Sequence, residues 1–166
     1  MEFDNVIRTR HATRKFKSER IEREKLNSIL EAGRLAPTAK NNQPIKIYVV
    51  ENNLDKIDKA SPCRYKAPTV LLICGDREHA FQKGSHSTYE MDACIVATHM
   101  MLEATNLGVA NIWVEMFDEK VLREEFTIPD EFIPICLIPI GYEEENAPAS
   151  PNHLKRKELK EIVEYC

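Results

Sequence analysis

The chain has 166 residues, of which 43% are hydrophobic and 30% charged, and its formal net charge is −4. This length and composition predict a single globular domain over residues 1–166 that buries a core without disulfides or metal ions. The acidic balance excludes a general positive field that would attract nucleic acid or an anionic membrane. Any basic site must therefore be local.

The cysteine pattern and the length of the apolar runs predict a cytoplasmic location. The five cysteines are odd in number and form no CxxC pair, so we expect reduced thiols and no zinc site. No apolar run approaches the roughly 20 residues of a membrane span, and the amino terminus has no signal-peptide pattern. We expect a cytoplasmic protein that binds neither membrane nor nucleic acid.

The first half of the chain predicts a helix followed by buried strands. In residues 22–37, Leu26, Ile29 and Leu30 have helical spacing, and Pro37 cannot continue the helix. The segments IKIYVV at 45–50 and PTVLLIC at 68–74 are short, β-branched and apolar, as buried strands are. LDKIDKA, between them, has the composition of a helix.

The second half of the chain predicts a long buried helix, followed by alternating strands and helices. Ser87-Thr-Tyr-Glu90 matches a capping box, and residues 93–107 are apolar around most of a helix that would bury His99 and end at Gly108. We then expect a strand at 109–115, a capped helix at 118–126, a strand at 132–142 and a charged helix at 155–165. Pro134 and Pro139 predict that the last strand is an edge or irregular one. Together these elements predict an α+β fold, a mixed α/β sandwich.

The stretch RTRHATRKF, residues 8–16, concentrates basic side chains in an acidic protein. Arg10 and Arg14 are four residues apart and would share one helical face, where two guanidinium forks could bind a phosphate ester. Composition alone is equally compatible with a solvated, charged helix end.

Two further stretches carry polar groups between apolar elements. The segment APTAKNNQP at 36–44 places Thr38, Asn41 and Gln43 between two prolines, which suits either an ordinary turn or recognition of a heterocycle edge. In the segment 108–118, Glu115 follows an apolar strand, a position where a surface acid is also common.

In order and spacing, these three stretches resemble the nitroreductase family of flavin enzymes. The family's opening motif is matched from Arg10 to Phe16, its Pro-Ser-x-x-Asn-x-Gln-Pro loop from Pro37 to Pro44, and its Glu-Gly-Phe-like stretch by residues 115–117. Ala12 stands where the family usually has serine, and Met116 where it usually has glycine. The resemblance covers about residues 7–163 and implies a central sheet flanked by helices in an intertwined homodimer that binds FMN.

The resemblance also implies a set of cofactor-binding positions. In the family, the first motif and a late basic residue bind the phosphate and ribityl end, the proline loop comes from the other subunit, and the backbone amide at Glu115 faces flavin N5. Matched to this chain, the implied FMN-binding residues are Arg10, His11, Ala12, Arg14, Pro37, Thr38, Ala39, Asn41, Gln43, Val114, Glu115, Met116 and Arg156. No side chain is expected to act as a nucleophile.

The implied activity is an FMN-dependent transfer of hydride from NADH or NADPH to a flat, electron-poor acceptor such as a nitroaromatic or a quinone. No GxGxxG fingerprint of a separate dinucleotide domain is present, so donor and acceptor would share one pocket in a ping-pong cycle. Two alternatives stay open at this point. One is an FMN-binding sensor or carrier with little turnover, and the other is a site for a different phosphorylated ligand.

Overall fold

A computed structural model describes all 166 residues and contains five α-helices and six β-strands. The helices are α1 (Phe3–Thr9), α2 (Arg23–Arg34), α3 (Leu54–Ala60), α4 (Tyr89–Asn106) and α5 (Glu119–Phe126). The strands are β1 (Ile45–Val50), β2 (Thr69–Asp76), β3 (Gln82–Lys83), β4 (His86–Ser87), β5 (Ala110–Asn111) and β6 (Phe132–Gly141). The predicted α+β class is confirmed.

The centre of the molecule is a four-stranded antiparallel sheet in the order β1-β2-β6-β5. Strand β2 is buried along its whole length, as its continuous apolar sequence predicts for a strand covered on both faces. Strands β3 and β4 form a separate small hairpin between β2 and α4.

Helices cover both faces of this sheet. Alternate residues of β2 point to opposite sides: Leu71 and Ile73 pack in the cluster that contains residues of α2 and α4, whereas Val70 and Leu72 pack in the cluster that contains residues of α3 and α5. The predicted sandwich of a central sheet between helical layers is therefore confirmed.

Helices α2 and α4 approach each other closely at Gly33. A Cβ atom at Gly33 would stand 2.7 Å from both Cγ and Sδ of Met100, a separation that real structures do not tolerate. Met100 and Met101 are both buried in the core. The absence of a side chain at position 33 thus leaves room for the Met100 side chain between the two helices of this layer.

Strand β6 was predicted to be an edge or an irregular strand, and the structure shows the second of these. It lies between β2 and β5, so it is not an edge strand. It is irregular, because Cys74 pairs with Pro134 and Ile73 with Cys136, which leaves one extra residue in β6. The prolines are tolerated because β5 has only two residues, and Pro139 still accepts a hydrogen bond from the Ile112 amide at 3.3 Å. The strand predicted at 109–115 is mostly wrong, because only Ala110–Asn111 forms a strand there.

The long helix α4 exists, but two expectations about it are wrong. It begins after Thr88, one residue later than the capping box predicts, and no side chain caps it. His99 is exposed within the chain and lines a surface cavity with residues of α1, because one face of α4, which also carries Met91 and Ile95, is not covered by the sheet.

The charged helix predicted at 155–165 is absent. This segment contains one turn of 3₁₀ helix, Leu159–Glu161, and every residue from 155 to 166 is exposed. A short helix is marginal unless an apolar face packs on a core. Here the apolar residues of the segment, Leu159, Ile162, Val163 and Tyr165, contact no core.

The other elements match their sequence patterns. Helices α2, α3 and α5 lie where they were predicted, and α5 is capped by Asp118, whose side chain accepts a hydrogen bond from the Val121 amide at 3.1 Å. All five cysteines are free thiols. None of the helices combines the length and the apolar character needed to cross a membrane.

Candidate functional site

The basic stretch after α1 is extended, not helical. Helix α1 ends at Thr9, and Ala12 and Phe16 then bridge to Asn111 and Glu143 of neighbouring segments. The expectation that Arg10 and Arg14 share a helical face is therefore wrong. In an extended segment, residues two apart share a side, so Arg10, Ala12 and Arg14 still lie on one side for a different geometric reason.

This side forms one wall of a cavity of about 290 Å³. The cavity brings together the early basic stretch and a segment some 140 residues later in the chain. Its lining residues are Arg10, Ala12, Arg14, Ser150, Asn152, His153 and Arg156. The predicted pairing of the first motif with Arg156 is thus present in the folded chain, and we call this space the arginine cavity.

None of the three arginines of this cavity has a carboxylate partner. Five other arginines are ion-paired, namely Arg8, Arg23, Arg34, Arg64 and Arg123. Burial, together with the like charge of Arg156, lowers the pKa of Arg10 from its usual range. Unpaired guanidinium groups that repel each other are an arrangement that a bound phosphate would stabilise.

His11 lies beside this cavity and carries an ion pair. Its Nε2 is 2.9 Å from Glu143 Oε1, and its Nδ1 is 3.0 Å from the Thr9 carbonyl oxygen. Burial lowers the pKa of His11, but these two hydrogen bonds and the Glu143 charge outweigh burial and raise it above the ordinary value of 6.5. Since both partners accept hydrogen bonds, the ring satisfies them together only as the imidazolium.

The proline loop, residues 37–44, holds an unusual backbone conformation. Lys40, Asn41 and Gln43 all have φ between 51° and 56°, although none is glycine. The Gln43 amide donates to Thr38 Oγ1 at 3.0 Å, and the Gln43 side chain donates to the Asn41 carbonyl at 3.1 Å. These contacts hold the loop in a tight, outward-facing turn, with Pro37 and Asn41 exposed and Ala39 partly buried.

Thr38 and Gln43 line a different cavity, of about 240 Å³, with residues of α2 and β1. The two cavities have no lining residue in common. Within one chain, the loop and the arginine cavity are therefore separate surfaces. This separation agrees with the expectation that the loop serves the site of another subunit.

The segment after Val114 presents a free backbone donor. Val114 is buried and bridges to Leu137, whereas Glu115 and Met116 are exposed. The Glu115 amide donates to no other group of the protein, and its carboxylate accepts a hydrogen bond from Trp113 Nε1 at 2.7 Å. Met116 is anchored through its carbonyl, which accepts from Ser61 Oγ at 2.6 Å.

The pKa of Tyr65 responds to Cys63 and to Arg14, a residue of the arginine cavity. The neighbouring Cys63 thiol and burial raise the pKa of Tyr65, against the opposing charge of Arg14. Cys63 Sγ is in turn 3.9 Å from Met116 Sδ.

These groups fit the chemistry of FMN. Unpaired arginines suit the phosphate, and an unpartnered amide at Glu115 suits an acceptor nitrogen such as flavin N5. Sequence reasoning missed four residues that lie at or beside the arginine cavity, namely Glu143, Ser150, Asn152 and His153. Only Ser150 carried a local signal, because serine before proline is typical of a helix start.

Comparisons with known proteins agree with this geometry. A sequence model of the nitroreductase family matches residues 7–66 and 58–142. A nitroreductase family protein from Clostridium difficile 630, solved as a crystal structure, is 36% identical, with 99% of this chain and 98% of that chain covered and a TM-score of 0.92.

Two further relatives carry more specific names. A Methanothermobacter thermautotrophicus protein, provisionally named an NADH dehydrogenase/NAD(P)H nitroreductase, is 29% identical over 155 residues, which cover 88% of this chain and 80% of the relative. A solved structure described as an FMN-dependent nitroreductase from Clostridium difficile R20291 is 27% identical over 98% of both chains, with a TM-score of 0.78.

Proposed function

The chain belongs to the nitroreductase family, and from that premise we propose that it is an FMN-dependent oxidoreductase. It transfers hydride from NADH or NADPH to a flat, electron-poor acceptor, of the nitroaromatic or quinone class. The observation that carries this proposal is the arginine cavity, in which Arg10, Arg14 and Arg156 converge without any carboxylate partner.

Each part of the site has a proposed task. The arginine cavity binds the cofactor phosphate, and Ser150, Asn152 and His153 add polar groups to its wall. His11, ion-paired with Glu143, lines a neighbouring cavity that shares Arg10 with the arginine cavity. The remaining predicted residues, Pro37, Thr38, Ala39, Asn41 and Gln43, form the loop that contacts the ring edge.

The ring would lie against the segment that contains Val114, Glu115 and Met116. The free Glu115 amide donates a hydrogen bond at the reactive edge of the ring, and the exposed Met116 thioether offers a soft apolar surface beside it. FMN, when bound, supplies the acceptance and release of hydride. The protein groups hold the ring, shield it from water and balance its charge.

We propose a homodimer in which the loop of one subunit completes the site of the other. Two observations support it: the loop and the arginine cavity are separate surfaces within one chain, and Leu154, Leu159, Ile162 and Tyr165 expose large apolar side chains near the carboxyl terminus. Sedimentation of the FMN-bound protein should give twice the chain mass. A monomer that keeps FMN would contradict the shared site.

The test of the activity is the visible absorption spectrum of the purified protein with added FMN, recorded before and after anaerobic NADH and then NADPH. Rapid bleaching of the flavin bands supports the proposal. Persistent bands would favour a flavin-binding sensor or carrier, and no flavin binding would favour a different phosphorylated ligand. We expect parallel-line, ping-pong kinetics, because the chain has no GxGxxG fingerprint of a separate dinucleotide domain and donor and acceptor would share one pocket; intersecting lines would contradict a shared pocket.

Two expectations stay predictions. We propose that residues 1–166 act as one FMN-binding domain, since a single sheet with its two helical layers contains both apolar clusters. The cytoplasmic location is a prediction to be checked by cell fractionation.

A further inference from the structure

Asp92 is a buried carboxylate that the activity proposed above does not use. It lies in the first turn of α4 and is only 2% exposed. No lysine, arginine or histidine pairs with it. A buried charge without a counterion is costly unless hydrogen bonds satisfy it, so its partners indicate why it is there.

Both carboxylate oxygens accept a hydrogen bond. Oδ2 accepts from the Thr88 hydroxyl at 2.8 Å, and Oδ1 accepts from the backbone amide of Ala39 at 2.8 Å. Thr88 lies beside the helix start, whereas Ala39 is 53 residues away and belongs to the proline loop. Asp92 therefore joins the loop to the amino-terminal end of α4, where the helix dipole favours a negative charge.

The loop needs such an anchor because its backbone does not adopt its conformation without strain. Lys40, Asn41 and Gln43 are non-glycine residues with positive φ, a state that persists only where surrounding contacts enforce it. Ala39 immediately precedes the first of them. Its amide is the only backbone amide of residues 38–43 that donates outside the loop, since the amides of Asn41, Asn42 and Gln43 donate within it. The Asn42 side chain adds a second anchor, because its Nδ2 donates to the His79 carbonyl oxygen at 3.0 Å.

We propose that Asp92 is a positioning residue for ligand binding: its carboxylate fixes the Ala39 amide, and thereby presents Thr38, Asn41 and Gln43 in the orientation that contacts the cofactor. The effect of Asp92 on the loop conformation can be tested in the FMN-free protein. Its consequence for FMN affinity rests on the proposed function.

The first experiment measures amide hydrogen exchange, residue by residue, in FMN-free protein. In the unmodified chain we expect the Ala39 amide to be protected and the neighbouring Lys40 amide, which has no acceptor, to exchange fast. Equal, fast exchange at both would overturn the proposal without any variant. This measurement does not depend on whether the protein binds FMN.

The second experiment compares Asp92→Ala with Asp92→Asn and with Glu90→Ala. Asparagine keeps an oxygen that can accept from the Ala39 amide, whereas alanine does not. Glu90 is an exposed acid in the same first turn, so its removal also takes one negative charge from the helix start without touching the loop. We expect Asp92→Ala to lose Ala39 protection and to weaken FMN binding by about tenfold or more. The other two variants should keep both properties near those of the unmodified protein.

Several outcomes separate the possibilities. If Asp92→Ala and Glu90→Ala act alike, the effect belongs to the helix start and the proposal is wrong. If Asp92→Asn loosens the loop as much as alanine does, hydrogen-bond acceptance at Ala39 is not the cause. Should Asp92→Ala fail to fold, the exchange pattern of the unmodified chain and of Asp92→Asn still decides. If exchange changes as expected but no variant binds FMN, the positioning role holds and the proposed cofactor is wrong.

Discussion

Neutralising Arg10 should have opposite effects on the free and the FMN-bound protein. Arg10 is partly buried beside Arg156 with no carboxylate partner, so Arg10→Gln relieves repulsion when the cavity holds no anion. A like-charge contact near the surface costs about 0.5 kcal/mol or less. For a chain of this size, that predicts a melting temperature of the FMN-free protein higher by roughly 1–2 °C.

The same change should weaken FMN binding. A hydrogen bond between a charged donor and a phosphate contributes about 1.5–3 kcal/mol, which corresponds to roughly a 10- to 150-fold increase in Kd. Arg156→Gln should act in the same direction but near the lower limit, because Arg156 is exposed. Flavin fluorescence titration measures the affinity, and differential scanning fluorimetry without FMN measures the stability.

Lys120→Gln is the matched control, because it removes one positive charge from the exposed face of α5, outside the arginine cavity. It should leave FMN affinity within about twofold, since exposed surface charges contribute little. The reasoning is refuted if Arg10→Gln binds FMN as tightly as the unmodified protein, if it melts at a lower temperature without FMN, or if Lys120→Gln weakens binding equally.

Three further predictions follow from single groups. The pKa of His11 is raised in the folded state, so the stability that its charge contributes is fully present below pH 6.5 and is lost as the pH rises through the raised pKa. We therefore expect the melting temperature of the unmodified protein to fall over this pH range, and His11→Gln should abolish that fall. Ala12→Ser places a hydroxyl in the arginine cavity and should tighten FMN binding by roughly two- to tenfold in fluorescence titration, and weaker binding would contradict the cavity geometry. Burial raises the pKa of Cys74 to about 12 and that of Cys136 strongly, so iodoacetamide at pH 8 should label neither by mass spectrometry until the protein is unfolded.

The layered core could be predicted because its information is local. Strand β2 is a run of β-branched and aliphatic residues, and the periodic apolar residues of α2 mark its buried face, so pattern alone located both. Strand β6 could be located but not placed in the sheet. Whether Pro134 and Pro139 mark an edge depends on how short the neighbouring strand is, and that is a long-range fact.

The candidate site was predicted by motif, and the physical reasons attached to it were partly wrong. Arg10 and Arg14 do lie on one side, but through the two-residue period of an extended chain and not through a helix. Arg156 was matched by resemblance alone, and only the folded chain brings it to the same cavity. Glu143 and Asp92 had no sequence signal, since an isolated acid looks the same whether it is solvated or holds a partly buried partner, here 132 residues away for Glu143 and 53 for Asp92.

The carboxyl-terminal segment shows why a periodic pattern is insufficient evidence for a helix. Residues 155–165 have the charge and apolar spacing of an amphipathic helix, yet the structure gives a single 3₁₀ turn. Amphipathic spacing indicates that a helix would have one apolar face, but it does not specify which surface would bury that face. Within this chain no surface covers Leu159, Ile162 and Val163, whereas α2, which is also amphipathic, packs its apolar face in the core cluster beside the sheet. A helix prediction is therefore confirmed or wrong according to whether a surface is present to bury the apolar face. The periodicity of the sequence does not show whether another chain supplies that surface.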